Sequence, residues 1–162
     1  MNAAQLAWSG FRHFDPDEWP YGVLESMDPQ IIQTLANIRN KLPDDHAMIP
    51  SPVPAAHVRT TGDSRHSTRR GERLSDATDV FMHWRHVWRA WMWAQRCVSV
   101  GGLGIYTDMK YNGEVGAMAM LHIDCRQDRV VWVGHGRDPV EYTYLVREPI
   151  KFHRIISERA KG

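Results

Sequence analysis

Residues 55 to 76 contain almost no large apolar side chain, yet they carry Arg59, Arg65, Arg69, Arg70 and Arg73 together with His57 and His66. A buried helix or strand needs apolar positions recurring at a period of 3.6 or 2, and neither period runs through this stretch. A structureless connection that long inside a compact domain is either a misassigned element or a functional loop. The fold must therefore come from the segments on either side of it. With 162 residues, 43% of them hydrophobic, the chain can bury roughly 70% of its unfolded surface as one domain, without disulfide or metal staples.

Ile31, Leu35, Ile38 and Leu42 follow at steps of four and three, which predicts a helix over 28–42 with Asp28 as N-cap and Pro29 in its first turn. Prolines at 50, 52 and 54 limit residues 48–54 to a short edge strand. Residues 77–82 read as a strand. Between His83 and Val98, the residues Trp84, Val87, Trp88, Trp91 and Ala94 form a wide aromatic stripe, the mark of a core helix packed under a sheet. Gly101, Gly102 and Gly104 are expected to end that helix and open a strand, with Asn112 and Gly113 as a hairpin turn. Two further strands are expected at 117–125 and 129–133, and the tail after Pro139 reads as either strand or helix. The economical sum is one α+β domain over 1–162, a small antiparallel sheet with packed helices.

Lys plus Arg number 20 against 19 Asp plus Glu, so a formal net charge of +1 provides no field that would draw nucleic acid or an anionic membrane. The opening residues lack the cationic-then-apolar pattern of a signal peptide. The longest uncharged run, about 97–107, is too short and glycine-rich to cross a bilayer core of roughly 30 Å. The expectation is a soluble protein with no transmembrane segment and no nucleic-acid partner. Cys97 and Cys125 either pair or stay free, and the oligomeric state is open.

His66 is followed by Asp76 and Asp79, and His122 and Asp124 share one parity on an apolar strand, so both face the same side. A buried imidazole or carboxylate needs partners. A catalytic zinc site takes three protein ligands from His, Asp, Glu and Cys, and His66, Asp79 and His122 supply such a set. Taken singly, each reads equally well as a loop histidine, a strand-end acid or a satisfied core histidine. His83 and His86 stand three apart on the Trp-rich helix without a third ligand near in sequence, and read as surface residues. Cys125 lies beside His122 and Asp124, but strand alternation turns it to the opposite face from His122, which counts against a thiol nucleophile. The glycines at 101–104 precede a strand and not a helix, so they do not read as a phosphate cradle.

Ser64-Arg65-His66, a following glycine and Ala77-Thr78-Asp79-Val80 resemble the SxH…GxAxD signature of the M15 family of zinc peptidases. Gly101 to Tyr106, Leu121-His122-Ile123-Asp124-Cys125-Arg126 and Val130 to Val133 are similar to its second signature, a GxGxY strand leading into HxD and a later Arg and Trp. Residues 12–19 and the helix from Asp28 resemble the family's N-terminal element, so the likeness runs over about residues 11 to 134. It implies the M15 architecture shared with hedgehog and DD-peptidase domains. It also implies Zn2+ held by His66, Asp79 and His122, and hydrolysis of the stem peptides of bacterial peptidoglycan by a carboxypeptidase or endopeptidase. Many members are bacteriophage lysis enzymes, and a chain without a signal peptide fits one that waits in the host cytoplasm for release to the wall, or one carried in the virion.

Twelve residues separate His66 from Asp79, more than is usual in the family, so Asp76 is a second candidate for that ligand or a support for one. Many members carry an acid three residues before the last ligand as general base; here that residue is Ala119. Asp124 is then the first candidate for the base, with Glu114 and Asp108 behind it. Arg59 stands where the family often has an arginine that holds substrate carboxylate or polarises the carbonyl. The missing acid and the longer loop also suit a rival from another class, a non-catalytic virion component or wall-binding protein of the same fold.

Overall fold

A computed structural model describes residues 14–60, 62, 64–68 and 73–159. Helix α1 (Pro29–Arg39) starts as the capping residues require: the Asp28 carboxylate accepts from the Gln30 amide at 2.8 Å, and Pro29 occupies the first turn, where no intrahelical donor is needed. Its buried stripe includes Ile31, Leu35 and Ile38. The proline-limited edge strand β1 (Ile49–Pro50) follows, then β2 (Ala77–Met82). Helix α2 (Trp84–Arg96), β3 (Gly102–Tyr106) and a hairpin of β4 (Lys110–Tyr111) and β5 (Glu114–Val115) come next. Asn112 and Gly113 turn that hairpin with φ of 48° and 88°, left-handed values that this pair adopts at least strain. The chain then forms β6 (Ala119–Asp124), β7 (Val130–His135), β8 (Glu141–Tyr144) and α3 (Pro149–Arg159), so the tail holds both a strand and a helix.

The sheet has six strands in the order β1-β2-β6-β3-β7-β8, and it is mixed, because β3 and β7 run parallel while the other neighbours are antiparallel. An all-antiparallel sheet was the expectation from sequence. It fails because β6 and β7, though joined by a short turn, do not pair; β3 lies between them, antiparallel to one and therefore parallel to the other. Glycine makes this insertion sterically feasible. A Cβ on Gly102 would collide with the Asp124 carboxylate of β6, and one on Gly104 with the Trp132 indole of β7. From sequence these glycines are expected both to end α2 and to open a strand, and only the second holds. In fact α2 ends at Arg96, where Cys97 turns to extended backbone, and Gly102 and Gly104 lie within β3.

Strand alternation divides the sheet into two chemically distinct faces. Val80, Met82, Leu103, Ile105, Leu121, Ile123, Val131 and Val133 join the core that the helices cover. The opposite alternation puts Asp79, Gly104, His122 and Trp132 side by side in register. Of the tryptophan stripe, Trp91 is in the core, whereas Trp88 stacks on it at 4.8 Å with 39% of its surface exposed. The stripe is thus wider than the buried face of α2, which is formed by His86, Val87, Ala90, Trp91 and Ala94. No helix among the described residues is long and apolar enough to cross a membrane.

Candidate metal centre

Asp79 and His122 are cross-strand partners, one on β2 and one on β6. His66 comes from the long loop, which is pinned by its own arginines. Arg73 donates to the Ser64 and Ser67 carbonyls, Ser64 Oγ accepts from the His66 amide, and the Arg59 amide donates to the His66 carbonyl at 2.8 Å. A second anchor lies upstream, where fully buried His57 donates from Nε2 to the Ser51 carbonyl and accepts the Thr78 hydroxyl at Nδ1. The Trp19 ring packs against that imidazole. His57 thereby fastens the loop to β2 one residue before Asp79.

His66 Nε2 lies 3.1 Å from His122 Nδ1, His122 Nδ1 lies 3.0 Å from Asp79 Oδ1, and His66 Nε2 lies 3.7 Å from that oxygen. Four ligands at bond lengths of about 2.0–2.1 Å in a tetrahedron stand about 3.3–3.4 Å apart, a spacing that these three edges bracket. All three residues are buried, and two imidazoles with one carboxylate make a donor set suited to a borderline divalent ion. The residues present therefore fit the metal that the sequence resemblance implies.

His122 is held from behind. Its Nε2 donates to Asp124 Oδ2 at 2.9 Å, and Asp124, fully buried, also accepts the Gly102 amide at 2.9 Å and the Arg126 Nε at 2.8 Å. Arg126 lies over the Trp132 ring, which packs against His122. Asp124 thus engages the nitrogen opposite the donor triangle, the arrangement in which a carboxylate fixes the orientation and tautomer of a metal-binding imidazole. Burial alone would raise the Asp124 pKa, but hydrogen bonds from His122 and Arg126 hold it well below the ordinary carboxylate range.

Burial likewise would lower the His122 pKa, yet hydrogen bonds to Asp124 and Asp79 outweigh it and raise the value to about 9. For His66 burial dominates, aided by the nearby His122 and Arg59, and its pKa falls to about 4. In the metal-free protein at neutral pH, His122 is therefore the imidazolium, whose Nδ1 proton sits among the three donors, and His66 is neutral. This shift stabilises the metal-free fold fully below about pH 6.5, a contribution lost as pH rises through about 9. Metal must displace the Nδ1 proton, so affinity is expected to rise about tenfold per pH unit between pH 6.5 and 8.5. Competition against a chromophoric chelator across that range measures the slope, and a flat profile would refute the protonated His122.

The other expected site residues are dispersed. Asp76 is paired with Arg65 and stands outside the triangle. Glu114 is exposed on the β4–β5 hairpin. Asp108 accepts from Thr107 Oγ1, the Gly136 amide and the Arg159 guanidinium, bonds that tie its loop to β7 and α3. Arg59, exposed, borders the cleft in front of the triangle. That cleft comprises two adjoining cavities of about 510 and 380 Å³, the first lined by the triangle with Tyr106, Arg126 and Trp132, the second by Pro52, Val53, Phe81, Lys110 and Arg137. Asp79 is the one carboxylate among their described lining residues. Burial pushes the Tyr106 phenol pKa up, so it stays neutral.

Gly102, Arg126 and Trp132 stand out in the sequence only as parts of the resembled signature, and His57 only as a residue of the polar loop, so neither the clamp nor the anchor is legible there. Arg126 did carry a signal there, because His122, Asp124 and Arg126 alternate along one line of the chain. Comparison with family models, curated proteins and solved structures finds no match for this chain.

Proposed function

We propose that this protein is a zinc-dependent peptidase acting on the stem peptides of bacterial peptidoglycan, with Zn2+ held by His66, Asp79 and His122. The observation that carries the reading is the triangle of donors at 3.0–3.7 Å, with a carboxylate behind one imidazole, at the floor of an open cleft. When bound, the ion supplies Lewis-acid polarisation of the scissile carbonyl and activation of the attacking water. The chain supplies the rest. Asp124 and Arg126 keep His122 in the orientation that presents Nδ1 to the cleft. Arg59, Lys110 and Arg137 border an otherwise largely apolar trough, which suits an extended peptide bearing carboxylates. Tyr106 offers a neutral hydroxyl at the same floor. An M15-type architecture, and a phage lysis enzyme or virion-borne setting, follow from the sequence resemblance as part of this proposal.

One observation favours a second reading, a metal-retaining wall-binding or virion protein without hydrolytic activity. Asp79, itself a ligand, is the only carboxylate among the described residues lining the cleft, and Ala119 is buried in the core, so among the described residues no separate general base faces the donors. Incubation of the zinc-loaded protein with purified sacculi separates the two. New amino groups and soluble peptides, lost after chelation, support the peptidase; binding to sacculi without release of either supports the second reading.

A further inference from the structure

A second group of metal-ligating side chains lies at the junction of the helices, apart from the cleft. After α1 the chain turns tightly, with Arg39 donating to the Pro43 and Asp44 carbonyls at 3.0 Å each and the His46 amide donating to Pro43. This turn presents Asp45 and His46 to the first turn of α2, where His86 stands. The His46 and His86 rings meet at a centroid distance of 3.6 Å, and Asp45 Oδ1 lies 3.8 Å from His46 Nε2. One donor atom from each of the three lies within 4.8 Å of the others. His83 takes no part, since its side chain caps α2 by accepting the Arg85 amide.

One feature of this group is unsettled without a ligand. His46 is only 5% exposed, yet its Nδ1 has no hydrogen-bond partner, and a buried ring nitrogen left bare is destabilising. His86 Nε2 accepts from Arg85 Nε at 2.8 Å, a contact that a metal ion bound at this nitrogen must displace. Two imidazoles and a carboxylate on the solvent side form a set that takes zinc or a neighbouring first-row divalent ion, with the remaining positions open to water.

We propose that Asp45, His46 and His86 form a second divalent-metal site, which cross-links the end of α1 to the start of α2. It binds more weakly than the central triangle, because Asp45 is largely exposed and the Arg85 guanidinium competes for His86. The site is independent of the peptidase reading. Equilibrium dialysis of the full chain against Co2+ or Zn2+, followed by elemental analysis, tests it with four proteins. The parent is expected to hold two equivalents, His46→Gln one, His122→Ala one, and the double variant none. Asp45→Asn, a replacement at the surface, should weaken the second equivalent at least tenfold and covers the case in which His46→Gln folds poorly. A parent stoichiometry of one that His46→Gln leaves unchanged, or a second ion that survives both His46→Gln and Asp45→Asn, overturns the proposal. A single ion lost with His46→Gln and retained in His122→Ala instead overturns the central site and leaves this one standing.

Discussion

His122→Ala is expected to hold one metal equivalent fewer than the parent and to release no peptides from sacculi. The substitution removes one corner of the donor triangle, and the remaining His66 Nε2 and Asp79 Oδ1 stand 3.7 Å apart with no third ligand grouped with them among the described residues. It also empties the space between Asp79 and Asp124, both of which His122 bridges at about 3 Å. Asp79→Ala should behave alike, since its Oδ1 is the donor shared with both imidazoles. Asp76→Ala should retain the full equivalent, because Asp76 is committed to Arg65. Elemental analysis after dialysis reads all three. Retention in Asp79→Ala with loss in Asp76→Ala would reassign the carboxylate ligand.

Gly102→Ala, a change of one methyl group, should lower metal affinity by about 10–100-fold, the usual consequence of disturbing the group behind a metal-binding imidazole. The added Cβ would overlap the Asp124 carboxylate, which cannot swing aside without giving up the Gly102 amide, Arg126 or His122. Overpacking at this contact should also destabilise the fold by about 1–3 kcal/mol. Asp124→Asn separates these effects, since it keeps the shape and removes the charge. It should lower metal affinity by a similar factor with a smaller change in denaturation midpoint. Unaltered affinity in both variants would mean that Asp124 does not position His122.

These two experiments probe different kinds of information in the chain. The alternation that puts His122 and Asp124 on one face is a local property, fixed by strand geometry and readable from residues 119–124 alone. The helix start at Asp28 and the hairpin at Asn112–Gly113 are local in the same sense, because capping and left-handed turns depend on a few adjacent residues. Gly102 and Gly104 read locally as the end of α2 and the opening of β3, which leaves their packing role unseen. Their function is to let β3 lie against Asp124 and Trp132, and nothing within a few residues of a glycine records what will approach it. Asp124 was weighed as a proton acceptor because it shares a face with His122, but a shared face does not say which ring nitrogen the carboxylate meets.

The Asp45–His46–His86 group shows the same division. His86 was read with its sequence neighbour His83, three positions away on α2, whereas its partners come from the turn after α1. By itself the sequence determined the period of each element, the polar loop at 55–76 and the parity of the candidate ligands, because bond geometry and apolar periodicity act over a few residues. The tertiary structure alone decided that β3 separates β6 from β7, that Asp79 registers opposite His122, and that His66 closes the third side. Those are choices among distant partners, settled by packing over the whole core, which no local pattern encodes.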